Sequence, residues 1–240
     1  MKINERQERI LTILRTQRFA SVSTLAEMLY TSPSSIRRDL TQMQSAGLVR
    51  RNYGGVMLCD TEHTAPPVSV RLETNKANKR KIARRAAALL RDNVTVFLDG
   101  STTASYLAEY LAEREGITVF TNNLQTAADL IARSVDTYCI GGHSVGRSHI
   151  VAGSYAEDMV ENLHADLFFF SSFALSDDGV ISDCTAEENS LRRRMLRHAD
   201  VRVFLCDSSK FHRRAAHRLC TLDEVDYFFS DEDEGNEKQT

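Results

Sequence analysis

Apolar residues recur at helical spacing three times near the start of the chain and then alternate over a short stretch. Asn4, with Gln7 three residues on, predicts a capped helix whose apolar face is Ile10, Leu11, Ile13 and Leu14. Ser23 is placed to cap a second helix with Leu25, Ala26 and Leu29 turned inward. Ser32-Pro33 opens a third, because a hydroxyl cap and a proline at the first helical position both suit an open helix end, and Gly47 ends it. Leu48-Val-Arg-Arg51, a turn at Asn52-Tyr-Gly-Gly55 and Val56-Met-Leu58 then read as a hairpin.

Past a polar stretch from Asp60 to Pro67, which has neither periodicity, the rhythm changes. Residues 94–98, 117–120, 137–140, 166–170, 201–205 and 227–229 are short apolar runs, several separated by amphipathic helices. Runs apolar on both faces and joined by helical crossovers predict a mostly parallel sheet of the α/β class. The pattern therefore divides the chain into a mainly α-helical block over 1–59, a linker over 60–70, an α/β domain over 71–230 and an acidic tail over 231–240.

Composition adds little: 240 residues, 42% hydrophobic and 26% charged, describe a globular chain and exclude collagen-like or wholly disordered readings. No apolar run approaches the ~18–20 residues of a membrane span, and Ile10 to Leu14 is too short for a signal peptide, so a cytoplasmic protein with no membrane partner is expected. Five cysteines without a CxxC pair read as reduced thiols; neither a metal nor a cofactor is expected.

Charge changes the picture once it is split. Residues 1–59 carry nine Lys/Arg against four Asp/Glu, while the remaining 181 carry 21 against 29, which points to an anionic partner for the first block. On a helical wheel Ile36, Leu40 and Met43 form one stripe of the third helix, with Ser34, Arg38 and Thr41 opposite and Ser35 and Arg37 flanking. Such a face suits the major groove, where Arg addresses guanine or phosphate. A solvated face of a small bundle is the alternative. The surrounding order of helix, tight turn, helix and hairpin is that of a winged helix-turn-helix, with the helix-turn-helix at about 20–39 and Arg50 and Arg51 on the wing. The wing glycines would let backbone approach a phosphate closely.

In the second block Val94-Thr-Val-Phe-Leu-Asp-Gly-Ser-Thr-Thr103 ends a strand and begins a helix. Open N–H groups there, with the hydroxyls of Ser101, Thr102 and Thr103 beside Gly100, would suit an anion, while Asp99 would accept bonds from sugar hydroxyls. Plain N-capping explains the same residues equally well. Thr121-Asn122-Asn123, Gly141-Gly142 and Asp207-Ser-Ser-Lys210 follow other apolar runs, and such strand ends converge on one crevice. Lys210 is a candidate cation for a phosphate, or a solvated lysine. The basic run from Lys76 to Arg85 reads as a solvated helix face with Lys79 turned to the ligand, the alternative being a second DNA contact.

These residues resemble a known family. Gln7-Glu-Arg-Ile-Leu-Thr-Ile-Leu14, Ser21-Val-Ser-Thr-Leu-Ala-Glu27, Ser34-Ser-Ile-Arg-Arg-Asp-Leu40, Gly47-Leu-Val-Arg-Arg51 and Gly54-Gly55 look like the DeoR family of bacterial sugar-responsive transcriptional regulators. Arg71, Asn75, Lys79, Asp99-Gly-Ser-Thr-Thr103, Thr121-Asn122, Gly153, Glu188 and Asp207-Ser-Ser-Lys-Phe211 resemble its effector domain, so the likeness spans roughly 3–230. It implies that Ser34, Ser35, Arg37 and Arg38 face DNA. It also implies that the second domain is similar to sugar-phosphate isomerases and binds a phosphorylated sugar or polyol. The chain departs from the family with Tyr30-Thr31 in the turn, Tyr53 in the wing, Phe170-Ser-Ser172, and Arg192 where a lysine is usual.

The expectation is a repressor, not an enzyme, that leaves duplex operator DNA when a phosphosugar binds and works as a homodimer or homotetramer. The rival is a sugar-phosphate isomerase with an accessory DNA-binding domain, for which Asp99 and Glu188 supply the carboxylates.

Overall fold

The computed structural model of this chain describes residues 4–232 apart from 18, 47, 53–54, 59–67 and 146–147. It divides into two compact units, Met1–Thr74 and Asn75–Thr240.

The first unit contains α1 (Glu5–Gln17), β1 (Phe19–Ala20), α2 (Val22–Met28), α3 (Pro33–Ser45), β2 (Val49–Asn52), β3 (Gly55–Leu58) and α4 (Val68–Glu73). The start of α1 is a reciprocal cap: Gln7 N–H donates to Asn4 Oδ1 at 2.9 Å and Asn4 N–H donates to Gln7 Oε1 at 3.2 Å. The cap of α2 is Ser21 rather than Ser23; its hydroxyl accepts from Thr24 N–H at 3.0 Å. Ser23 already lies within the first turn, where a side chain no longer faces the open donors. Ser32 caps α3 as expected, accepting from Ser35 N–H at 3.2 Å, with Pro33 at the first helical position. Ile10, Leu14, Leu25, Ile36, Leu40 and Met43 are fully buried and form the core.

Strands β1, β3 and β2 make an antiparallel sheet in that order, with Arg51 opposite Val56 and Asn52 opposite Gly55. Packing gives Gly55 a reason of its own, independent of any phosphate approach. A Cβ on it would meet the Phe19 ring at 2.3 Å and Ala20 O at 2.6 Å. Gly47, the Tyr53-Gly54 turn, Cys59, linker residues 60–67 and tail residues 233–240 lie outside the described residues, as does the Arg50 side chain. Val70 of α4 joins the first core, so residues 68–74, which the sequence reading divides between linker and second domain, sit in the first unit.

The second unit contains α5 (Lys76–Ala86), β4 (Thr95–Leu98), α6 (Ala108–Leu111), β5 (Thr118–Thr121), α7 (Leu124–Ala132), β6 (Asp136–Cys139), β7 (His143–Ser144), β8 (Val151–Ala152), α8 (Ser154–Glu161), β9 (Ala165–Phe170), β10 (Ala174–Leu175), β11 (Val180–Asp183), α9 (Ala186–Arg197), β12 (Ala199–Leu205), β13 (His217–Thr221) and β14 (Tyr227–Phe229). The six predicted strands form one parallel sheet, ordered β14-β12-β9-β4-β5-β6. Alternation sorts its side chains: Val96, Leu98, Leu167 and Phe169 face one apolar layer, and Phe97, Phe168 and Phe170 face the other. Smaller antiparallel sheets, β10-β11-β13 and β7-β8, flank it.

The chain winds outward from β4 in both directions, so the strand order reverses between β4 and β9. In open α/β sheets the crevice beyond that reversal is where ligands bind. Among the described residues no helix is long and apolar enough to cross a membrane.

Candidate functional site

On α3 the stripe of Ile36, Leu40 and Met43 faces inward, which leaves Ser34, Arg37, Arg38 and Thr41 exposed and Ser35 half-buried. Ser34 and Ser35 cluster their hydroxyls on the Ser32 cap at 2.9 and 3.0 Å. Asp39, the one acid of α3, is 2% exposed and paired with Arg6 of α1. The carboxylate thus ties α3 to α1 and leaves the outer face without an acid. Thr41 donates to Arg37 O at 2.8 Å, and exposed Arg51 reaches Thr41 Oγ1 at 3.5 Å, so wing and helix present one continuous polar surface. Arg37 and Arg38 have no ion pair among the described residues.

In the second unit the loops after β4, β5, β9 and β12 meet at the carboxyl edge of the sheet. Asp99 and Ser171 face each other across the reversal point: Ser171 N–H donates to Asp99 Oδ2 at 3.4 Å, and Ser101 N–H donates to Asp99 Oδ1 at 3.1 Å. Lys210 Nζ donates to Ser171 Oγ at 2.8 Å, which brings the β12 loop to the same place. From β5, Asn123 Nδ2 donates to Gly100 O at 3.2 Å and Asn122 Nδ2 to Val151 O at 2.9 Å.

Asp99 is not the open acceptor that the sequence suggested. Arg192 of α9, 4% exposed, donates to Asp99 at 2.8 Å, Asp183 at 3.0 Å and Glu188 at 3.1 Å. Burial works against that guanidinium's charge, but the three carboxylates outweigh it and hold its pKa above the ordinary value. Glu188 is therefore held by the same cation, and neither carboxylate stands free as a base.

The predicted helix after the Gly-Ser-Thr-Thr corner also differs. It opens as a four-residue 3-10 turn, Ala104–Leu107, before the short α6, so there is no long helix N-terminus here. Ser101 Oγ accepts from Ala104 N–H at 3.2 Å, which is the capping alternative realised. Still, the N–H groups of Gly100, Thr102 and Thr103 face no acceptor among the described residues. Four buried polar side-chain atoms of this unit lack a hydrogen-bond partner: Thr103 Oγ1, Asn122 Oδ1, Thr185 Oγ1 and Asp207 Oδ2. Three of these belong to loops at the carboxyl edge, and Thr185 stands at the start of α9, the helix that carries Arg192. Asp207, 1% exposed, receives Asn75 Nδ2 at 2.9 Å and has Lys210 Nζ 3.7 Å from its open oxygen. Burial would raise its pKa; Lys210, Ser209 and Asn75 outweigh burial and hold the carboxyl below its ordinary value.

Sequence reasoning named the edge residues, Asn123 among them, but missed Asp183, and noted Ser171 and Arg192 only as departures from a family pattern. The Glu188/Arg192 spacing of four was the available signal, since it puts both on one helix face. The basic run on α5 is solvated in part: Arg80, Lys81 and Arg84 are exposed, while the others are drawn toward the fold. Lys79 is 4% exposed, Arg80 lies 5.6 Å from the Tyr106 ring centre, and Lys81 and Arg85 donate to Asp231 O and Ser230 O at 2.9 and 2.8 Å. Asp231 itself accepts from Ser208 N–H at 2.6 Å, so it belongs to the fold rather than to a frayed tail. Of the cysteines, Cys206 and Cys220 are buried and free, with thiols pushed up to about 12 by burial, whereas Cys139 is exposed.

A winged helix with an acid-free cationic face, followed by a parallel sheet with an underbonded polar crevice, is the composition of a transcriptional regulator with a sensor domain. Residues 6–62 match the DeoR-like helix-turn-helix domain and residues 74–232 the DeoR C-terminal sensor domain. The chain belongs to the DeoR family of transcriptional regulators. It is 32% identical to the L-fucose operon activator of Haemophilus influenzae over 95% of this chain and 92% of that protein. It is 29% identical to the HTH-type transcriptional regulator GolR of Listeria innocua over 95% and 90%, and 27% identical to the transcriptional repressor AccR of Agrobacterium fabrum over 95% and 89%. Among solved structures, ribose 5-phosphate isomerase A from Methanocaldococcus jannaschii is similar at 14% identity and a TM-score of 0.44, over 57% of this chain and 55% of that one. The chain thus spans about half the length of the isomerase.

Proposed function

We propose that this protein is a cytoplasmic repressor that binds operator DNA through its first unit and is released when a phosphorylated sugar or polyol occupies the crevice of its second. The carrying observation is the cluster of unsatisfied groups at the carboxyl edge of the sheet. Buried polar atoms without partners are rare in folded proteins, and each costs stability unless a ligand or water satisfies it. The open N–H groups of Gly100, Thr102 and Thr103, with Lys210 nearby, suit a phosphate. Thr103 Oγ1, Asn122 Oδ1 and Asp207 Oδ2 suit sugar hydroxyls. Ser101, Asp99 and Glu188 shape the crevice, the last two locked by Arg192.

On the DNA side, Arg37 and Arg38 read bases or hold phosphate, with Ser34, Ser35, Thr41, Arg50 and Arg51 alongside. A single winged helix covers little DNA, so a homodimer or homotetramer reading paired half-sites supplies the affinity. The relatives named above include both an activator and a repressor; release on ligand binding needs only that the ligand prefer the state that binds DNA less well. An isomerase reading is disfavoured because both candidate carboxylates, Asp99 and Glu188, are already engaged by the buried guanidinium of Arg192.

The test is a melting-temperature screen of sugar phosphates with operator-release assays in parallel. A true effector at 100 times its dissociation constant adds about 2.7 kcal/mol to native stability. Sugar phosphates that leave both melting and operator binding unchanged would overturn the crevice assignment.

A further inference from the structure

The first unit ends with α4 and Thr74, and the second begins at Asn75, one residue before α5. Thr74 still belongs to the helical turn before it: its N–H and its hydroxyl both donate to Val70 O, each at 2.9 Å. Asn75 then turns left-handed, at φ 52 and ψ 34, a conformation that side-chain-bearing residues adopt seldom and asparagine more readily than most. Its side chain does not cap α5. It points instead to the β12 loop, where Nδ2 donates to Asp207 Oδ1 and to Ser209 Oγ, both at 2.9 Å, across more than 130 positions of sequence. Ser209 in turn donates to the same Asp207 oxygen at 2.5 Å, which closes a three-membered network.

The other oxygen of Asp207 is the unsatisfied one, 3.7 Å from Lys210 Nζ. One carboxylate therefore has one oxygen unsatisfied beside Lys210 and the other bound to the first residue of the second unit. We propose that Asn75 is the coupling residue of this regulator: it holds the chain corner between α4 and α5 in its left-handed form only while Asp207 and Ser209 hold its side chain. A ligand that draws Asp207 or Lys210 into new hydrogen bonds loosens that hold, and the backbone at the junction carries the change toward the DNA-binding unit. Asn75 is a positioning residue, with no ligand contact required of it. The proposal rests on the reading of the crevice as the effector site, but its test is independent of the ligand's identity.

The experiment is a double-substitution cycle on the full-length protein, reading operator affinity without any ligand. Asn75→Gly still permits the left-handed backbone without strain but leaves no side chain to hold it there, and Asp207→Ala removes the anchor. Each single change should weaken operator binding by at least about fivefold, the low end of ordinary coupling between sites, and the double variant should be no weaker than the worse single one. Melting curves of the variants confirm that each is folded. Effects that multiply, or singles that leave operator affinity unchanged in folded protein, overturn the proposal. Ribose 5-phosphate, fructose 6-phosphate and glucosamine 6-phosphate are then added as probes. A non-additive cycle in a protein indifferent to all three supports the coupling role and counts against the phosphosugar reading. A parent that responds, with an Asn75→Gly variant that responds equally, overturns the coupling role and leaves the phosphosugar reading standing.

Discussion

Arg38 and Arg192 are both cations on helices, yet the two units hold them in opposite ways. Arg38 is exposed, without an ion pair among the described residues, on a face from which Asp39 has been withdrawn toward α1. Arg192 is buried and committed to three carboxylates. A surface that is to meet a polyanion keeps its cations uncommitted, because breaking an existing pair would offset the new one. A fully paired buried charge instead rigidifies the polar groups around it. The same residue type is thus left uncommitted in one unit and made a brace in the other.

That contrast is most sharply broken at Arg192. Arg192→Ala leaves Asp99, Asp183 and Glu188 without their cation and should destabilise the second unit by about 3–5 kcal/mol, measured by urea unfolding. A loss below 1 kcal/mol would mean that the network is not a brace. Next in size is Arg38→Ala, which should cost about 1–3 kcal/mol in operator affinity if it reads a base. Its unfolding midpoint should match the parent's, since an exposed side chain without partners contributes little to stability. Loss of stability with DNA affinity intact would invert the comparison.

A smaller effect separates the units by salt. Arg51→Ala should reduce the salt slope of operator binding by about one if Arg51 touches a phosphate. Ligand binding in the crevice should respond weakly over the same salt range, as buried charges are screened little. The smallest effect is on acid stability. The folded pKa of Asp207 lies below its ordinary value, so its contribution is complete above that ordinary value, near pH 4, and is lost as pH falls through the lower folded one. Asp207→Asn should flatten this part of the acid limb of an unfolding titration; an unchanged limb would show that Asp207 gains nothing from Lys210 and Asn75.

The first unit was the more legible of the two. The stripe of Ile36, Leu40 and Met43 and the caps at Asn4 and Ser32 lie within four residues of the groups they serve, so spacing alone predicts them. The misplacement of the α2 cap by two residues came from two serines in one turn, Ser21 and Ser23, either of which has the needed hydroxyl. In the second unit the central strands were legible because apolar runs buried on both faces leave no polar alternation, whereas the edge strand β6 is largely exposed and was legible only from its short apolar run. The loops at their ends were legible as a set of residues but not as a set of contacts: Asp99 was read as open because nothing within reach in sequence is positive.

By itself the sequence determined two units, the class of each and the outward face of α3, since hydrophobic period, capping chemistry and charge balance act over a few neighbouring residues. Only the tertiary structure decided which charges are free. Arg192 meets Asp99 across 93 residues, Arg6 meets Asp39 across 33, and Asn75 meets Asp207 across 132. Ion pairs and hydrogen bonds reach only a few ångströms in space, and no local pattern records which distant segment folding will bring within that reach.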